Sequence, residues 1–155
     1  MAAILVVNIN DQRLGLWVSD VVEVVWAVAS TPLRGSPPIV EGVISLRGAL
    51  IPLLNARVRF DHPTRPVALS DRFVVIGVAG RLFALHVDHA EEVIEIEESE
   101  ISSLEAFGPE PMGIAGVVTL STGLVLIQDM ESFLSETERL LLDEALASLH
   151  ASSRA

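Results

Sequence analysis

The sequence predicts an all-β chain with short helices, built as two small barrel lobes of about five strands each that share a core, followed by a C-terminal helix. The main reason is that the chain states one plan twice. Leu5–Val24 (LVVNINDQRLGLWVSDVVEV) is matched by Phe73–Val93 (FVVIGVAGRLFALHVDHAEEV), with Arg13-Leu14 on Arg81-Leu82 and Asp20 on Asp88. One added residue then brings Glu23-Val24 onto Glu92-Val93. Glu41–Phe60 aligns without gaps on Ala115–Leu134, so that Gly42 meets Gly116, Leu46 meets Leu120 and Leu50 meets Leu124. A second reason is spacing: short apolar segments recur between turn signals, with little helical periodicity before residue 136, which fits small barrels better than a βαβ sheet. A third is composition. Half of the 155 residues are hydrophobic but only 5% are aromatic, so the core must be built from Val, Leu, Ile and Ala.

The elements follow in order. Ile4–Asn10 and Leu14–Val18 flank Asp11-Gln12-Arg13 as a hairpin. Ser19 or Asp20 can cap a helical turn over Val21–Val25, and the β-branched run Val24–Val28 favours a strand. Thr31–Pro38 is loop by its three prolines, glycine and serine. Gly42–Leu46 and Ala49–Leu54 form a second hairpin around Arg47-Gly48, with Pro52 pushing its strand toward an edge or an end. Asn55–Phe60 can start a short helix, and Asp61–Pro66 is the best linker in the chain.

The second copy has strands at Arg72–Val78 and Arg81–Val87 around Ala79-Gly80, then alternation over Val93–Glu97. Ser99–Pro111 is polar, acidic loop. Gly116–Leu120 and Leu124–Ile127 pair around Ser121-Thr122-Gly123, and Asp129 can cap Met130–Leu134. Leu142, Ala145, Leu146 and Leu149 stand at helical spacing within Glu136–Leu149. The expected organisation is therefore one domain over residues 1–135, with a first lobe at about 12–62, a second at about 68–135 and an N-terminal strand open to sharing between them. Residues 136–155 form the helix and a tail expected to fray from 151.

Bulk properties bound the function. Mean hydropathy is +0.51, which fits apolar surface kept for partners or a generously packed interior. No apolar run reaches the ~18–20 residues that span a bilayer, so direct membrane insertion is not expected. MAAILVVNIND lacks the basic start of a signal peptide, and a cytoplasmic location is expected. The absence of cysteine removes disulfides, thiolate metal sites and a Cys nucleophile. There is no lysine, and the net charge is −11, with residues 82–155 far more acidic than residues 1–81. Such a chain is repelled by phosphate backbones, so no nucleic-acid partner is expected. Its acidic half can face either a basic protein or water.

Catalytic chemistry is poorly supported. His86-Val87-Asp88-His89 is the best metal-ligand candidate, but on a strand His86 and Asp88 share one face and His89 points away. G-x-S-x-G, P-loop and G-x-G-x-x-G patterns are all missing. No catalytic residue, cofactor or metal is expected, and paired acids such as Glu91-Glu92 and Glu97-Glu98 read as solvated faces. The sharpest difference between the copies is Arg47-Gly48 against Ser121-Thr122. An arginine at a hairpin turn can fork onto carboxylates or carbonyls, or can be an ordinary exposed turn residue. Gly42 permits close backbone approach or simply ends the Pro-rich loop. Glu23, within an apolar stretch, either points to water or meets a cation.

EGVISLRGALIPLLNARVRF at Glu41–Phe60 resembles the signature of the CheW family, the adaptors of bacterial chemosensory arrays. The preceding VVEVV, the Pro-rich approach to Gly42, LFALHVDHAEEVIEI and GLVLIQDMESFL fall in the family's order, so the resemblance covers about residues 4–134. It implies two SH3-like five-stranded β-barrel subdomains and a non-enzymatic adaptor. Such an adaptor links chemoreceptor cytoplasmic tips to the regulatory domain of a CheA-like histidine kinase and is recruited to receptor arrays. By motif position, Val21, Glu23, Gly42 and Arg47 become the receptor-coupling candidates. Asn55 departs from the family's usual aspartate, Ala90 from a larger aliphatic, and Glu136–Ala155 lies outside the signature. Two alternatives remain: an accessory CheW-like protein of a pilus or other non-flagellar system, and a small-molecule-binding or hydrolytic double barrel, which requires a deep pocket with convergent polar groups.

Overall fold

Eleven strands and two α-helices are described by the computed structural model, which covers residues 2–103 and 113–153, with only the backbone of 150–153. The strands are β1 (Ala2–Ile9), β2 (Gln12–Trp17), β3 (Val21–Trp26), β4 (Val40–Leu46), β5 (Ala49–Asn55), β6 (Arg72–Val78), β7 (Arg81–Val87), β8 (His89–Ile96), β9 (Ile101–Ser102), β10 (Ile114–Leu120) and β11 (Gly123–Gln128). The helices are α1 (Ala56–Arg59) and α2 (Glu136–Ser153). Residues 104–112 of the expected acidic loop lie outside the described residues.

The strands form two sheets. One is five-stranded in the order β3-β6-β7-β5-β4; the other runs β8-β1-β2-β11-β10-β9, with the two-residue β9 as an addition at its edge. The expected lobes at 12–62 and 68–135 are corrected by this order, because each lobe takes strands from both copies of the repeat. Hairpin β1-β2 of the first copy sits between β8 and β11 of the second. Hairpin β6-β7 of the second copy sits between β3 and β5 of the first. The repeats have exchanged their hairpins.

Corresponding joints are alike in the two lobes. β2 meets β11 in parallel and β7 meets β5 in parallel, and the other named pairings are antiparallel. Bulges fall between Val21 and Glu23 in β3 and at the matching place in β8, where Glu92 and Ala90 face consecutive residues of β1. The remaining two lie between Val40 and Gly42 in β4 and between Ile114 and Gly116 in β10. A bulge adds one residue and bends its strand, which lets a short sheet curl into a barrel. Curling brings Val25 and Ala27 of the β3 side and Ile44 and Leu46 of β4 into one apolar cluster with Phe73, Val75 and Leu53.

Three corrections concern local structure. The helical turn expected over Val21–Val25 is instead a 3-10 turn at Val18–Asp20 without a side-chain cap, and Val21–Trp26 is strand. Pairing with β6 satisfies this β-branched run better than one isolated helical turn would. Strand β5 is interior, yet its parallel ladder with β7 begins only at Leu53, so Pro52 stands where that side lacks a partner. The helix continues through Ser153 rather than fraying from 151.

Two shifts of boundary accompany these corrections: β9 at Ile101–Ser102 falls within the expected acidic loop, and β8 begins at His89 rather than Val93. Asn55 caps α1 by accepting from the Arg57 N–H at 2.9 Å, and Asp129 caps the 3-10 turn Met130–Ser132 through Glu131 N–H at 3.1 Å. The largest core lies between the lobes and joins Leu14, Leu16, Leu54, Ile76, Leu85 and Phe133. α2 docks on this shared core through Leu142 and Ala145. Two ion pairs hold it, Arg59 with Glu138 and Arg81 with Asp143, the latter at 2.6 Å.

Candidate functional site

In the five-stranded lobe β3 and β4 are the two edges of the curled sheet, and side chains bridge the seam between them at both ends. Hairpin β4-β5 turns on two residues, Arg47 at φ 52° and Gly48 at φ 82°. Two consecutive left-handed residues match the twist of a two-residue hairpin, but for a non-glycine such a conformation costs about 1 kcal/mol or more. That geometry throws Arg47 across the seam, where Nη2 donates to Glu23 Oε2 on β3 at 2.7 Å. Of the two readings open for Glu23, the structure gives the cation. Its other oxygen, Oε1, is buried without a hydrogen-bond partner, whereas the Arg47 side chain stays 74% exposed.

Beside this pair β3 carries exposed apolar side chains. Val22, Val24 and Trp26 are all exposed, Trp26 under the stacked guanidinium of Arg72. Val22 reaches Gly77, against which Leu82 also packs. Val21 turns the other way and packs on the shared core. Gly42 is buried: a Cβ there would lie 2.4 Å from the carbonyl oxygen of Thr31, whose backbone pairs with Val43. The structure therefore brings Glu23 and Arg47 together, places Val21 beneath them in the packing, and gives Gly42 the close backbone approach that its residue type permits.

The other end of the seam was missed by sequence reasoning. His86 Nδ1 lies 2.6 Å from Glu41 on β4, and Nε2 lies 2.7 Å from Asp71 just before β6. Asp71 also accepts from Arg65 at 2.8 and 2.9 Å and from the Ala68 N–H at 2.9 Å, while its carbonyl accepts from Ala27 N–H at 3.1 Å. Arg65 continues to Asp88 at 2.8 Å. Asp88 in turn accepts at both oxygens from the single Nη2 of the buried Arg57, at 2.6 and 2.7 Å, and from the Asn10 N–H at 2.8 Å. One chain of charges thus runs from the β4 edge to the β1-β2 turn of the other lobe.

Burial opposes ionisation along this chain, but the partners win. Burial alone would raise the Asp71 carboxyl, yet Arg65, the Ala68 N–H and His86 hold it well below the usual carboxylate range. Asp88 is likewise depressed, with Arg57 and the Asn10 N–H overcoming desolvation. For His86 burial favours the neutral ring, and hydrogen bonds to Glu41 and Asp71 outweigh it, so its pKa lies above the ordinary imidazole value. The expected shared face of His86 and Asp88 does not form, since β7 ends at Val87. A signal was available: His86 and Arg57 are ionisable residues set within apolar runs.

Among the described residues no group of three or more His, Asp or Glu has the geometry to hold a metal. A partly open pocket of about 70 Å³ lies between Leu54, Phe83, Met130 and the base of α2, and a wide-open polar notch of about 380 Å³ lies beside Asn8, Arg13 and Glu91; small-molecule sites are instead concave pockets of roughly 300–1,000 Å³ that bury most of their ligand. No described helix is long and apolar enough to cross a membrane.

The CheW-like domain family matches residues 3–138. The chain belongs to the CheW family. Among its relatives are the chemotaxis protein CheW of Klebsiella aerogenes, 22% identical over 93% of this chain and 88% of that one, and CheW of Treponema pallidum, 24% identical over 84% and 81%. The crystal structure of the scaffolding protein TtCheW from Thermoanaerobacter tengcongensis superposes with a TM-score of 0.77 at 26% identity, covering 88% of this chain and 90% of that one. Two SH3-like subdomains, the CheW architecture, are therefore the correct description of the exchanged lobes. Most of α2 lies beyond the stretch matched to the family.

Proposed function

We propose that this CheW-family chain is a non-enzymatic scaffold of a chemosensory pathway that holds a chemoreceptor's cytoplasmic tip and a CheA-type histidine kinase at the same time. The observation that carries this reading is the β3 seam, where exposed Val22, Val24 and Trp26 lie beside an arginine that is ion-paired yet mostly open to water. An amphipathic receptor helix presenting apolar residues and a carboxylate complements such a surface. Arg47 and Glu23 are the contact pair in this reading, and Val21 and Gly42 set the shape of the strand ends that carry them. The second lobe repeats the architecture with a different surface, which suits it to a second partner. Binding two partners at once on rigid barrels transmits receptor changes mechanically, and modest single contacts gain strength from the multivalency of an array.

The test is a pull-down with the cognate receptor tip and kinase offered separately, followed by reconstitution of kinase activity with and without the chain. Capture of each partner and restored receptor control are expected. Capture of only one partner removes the bridging role and leaves that of an accessory protein.

A further inference from the structure

His86 is held more narrowly than any packing argument requires. Its side chain is 3% exposed, its ring meets Phe73 edge-on at 5.4 Å between centroids, and it directs one nitrogen at each of two carboxylates. A neutral imidazole carries one N–H. It would satisfy one carboxylate and set a lone pair against the other at 2.6–2.7 Å, where little water is present to screen the repulsion. An imidazolium donates to both. The surrounding charges agree with that state: Glu41 from β4, Asp71 ahead of β6, and Arg65 from the linker, which Asp71 must share with Asp88. Asn55, opposite His86 on β5, uses its side-chain oxygen to cap α1. Arg57 is committed to Asp88 and Asn10.

We propose that His86 is a proton-operated clamp: charged, it ties the β4 edge at Glu41 to the start of β6 at Asp71, and on losing its proton to solvent it releases β4. Glu41 is the bulged residue of β4, and the next two residues are Gly42, packed under Thr31, and Val43, which exchanges both backbone hydrogen bonds with Thr31 at 2.8 and 2.9 Å. Release at Glu41 therefore loosens the Thr31–Pro38 loop as well as the strand. The device closes the seam at the end opposite Arg47 and acts without any partner.

The direction of the pH effect follows from the shift. A histidine whose folded pKa exceeds its unfolded value adds stability that is complete below the unfolded pKa and is lost as pH rises through the folded one. The clamp is closed below the ordinary imidazole pKa and opens as pH rises through the raised pKa of the folded chain.

The experiment is long-range proton–nitrogen NMR of the histidine rings in the full-length chain through a pH series, with amide hydrogen exchange at Thr31 and Val43 measured alongside. Both nitrogens of His86 should remain protonated at the ordinary imidazole pKa of about 6.5 and somewhat above it, and exchange at Thr31 and Val43 should accelerate beyond its intrinsic base dependence as His86 titrates. Glu41→Gln, a change at a partly exposed side chain, should move both transitions together to lower pH. His86→Gln should abolish the extra acceleration; should that variant fail to fold, Glu41→Gln alone decides. A His86 ring found as a single neutral tautomer at or below the ordinary imidazole pKa would overturn the clamp. So would a titration of His86 that leaves exchange at Thr31 and Val43 unchanged.

Discussion

In the five-stranded lobe the cation at the open end of the seam comes from the β4-β5 turn: Arg47 meets Glu23 on β3 and stays 74% exposed. In the six-stranded lobe the equivalent turn residue is Ser121, and the cation comes instead from β2. There Arg13 reaches Glu91 on β8 at 3.1 Å and the hydroxyl of Thr122 at 2.8 Å, with its side chain only 17% exposed. The same gap between a sheet edge and a hairpin turn is bridged in both lobes, once by an arginine left available and once by one consumed internally. The neighbours differ in the same sense. Glu91 occupies the position that exposed Val22 holds in the other lobe, and an open polar notch lined by Asn8, Asp11, Arg13, Glu91 and Glu92 replaces the apolar rim. Duplication supplied the frame, and side-chain substitution at matched positions gave the two ends different chemistry.

The hardest way to break this comparison is to sever the hub through which the lobes touch. Arg57→Ala removes the arginine whose Nη2 bonds both oxygens of part-buried Asp88, and loss of about 3–5 kcal/mol is expected. Denaturant unfolding followed by hydrogen exchange reads the result; amides of both lobes should lose protection together. Loss confined to one lobe would mean that the lobes fold separately. Leu142→Ala, which empties the fully buried contact of α2 with the shared core, should cost about 2–5 kcal/mol in the same assay.

The matched glycines sharpen the comparison. A Cβ at Gly42 meets the Thr31 carbonyl oxygen at 2.4 Å, whereas at Gly116 the nearest atom is the Ile101 methyl at 2.4 Å, with Ser102 oxygen at 3.0 Å. A side chain gives way more easily than a paired backbone. Gly42→Ala should therefore cost about 1–3 kcal/mol and Gly116→Ala measurably less, by thermal or denaturant unfolding. The smallest effect on stability belongs to Arg47→Ala, within about 0.5 kcal/mol, but that variant should lose receptor capture while Arg13→Ala keeps it. Equal binding by both variants would remove the assignment of the five-stranded lobe as the receptor side.

Acid and base should destabilise the chain for different reasons. Asp71 and Asp88 have depressed folded pKa values, so their contribution is present above the unfolded carboxylate value and falls away as pH drops through the folded ones. With the His86 contribution lost as pH rises through its raised pKa, thermal midpoints should pass through a maximum between the two limbs. Asp71→Asn should blunt the acid limb.

Much of this molecule is readable from its residues, for identifiable reasons. Hairpins show because apolar runs flank Arg47-Gly48 and Ala79-Gly80, turns that the structure forms with positive φ at both residues. The docked face of α2 shows because Leu142 and Ala145 keep helical spacing. Strand partners beyond the hairpins do not show. The apolar run Ile4–Val7 marks a strand buried on both faces, but not that its second neighbour, besides its hairpin partner β2, is β8 of the other repeat. Motif position singled out Arg47 and Glu23, which the structure pairs, whereas the His86 chain escaped because Glu41, Asp71 and His86 are far apart in sequence.

The exchanged hairpins have a developmental consequence. A chain holding one repeat alone would own a hairpin with no third, fourth and fifth strand to receive it, and an outer frame with nothing in its middle. It could complete itself only by trading arms with a twin. Separated at the Asp61–Pro66 linker, the two halves should be unfolded apart and should reassemble when mixed, in the manner of an intertwined dimer whose subunits have since been joined end to end.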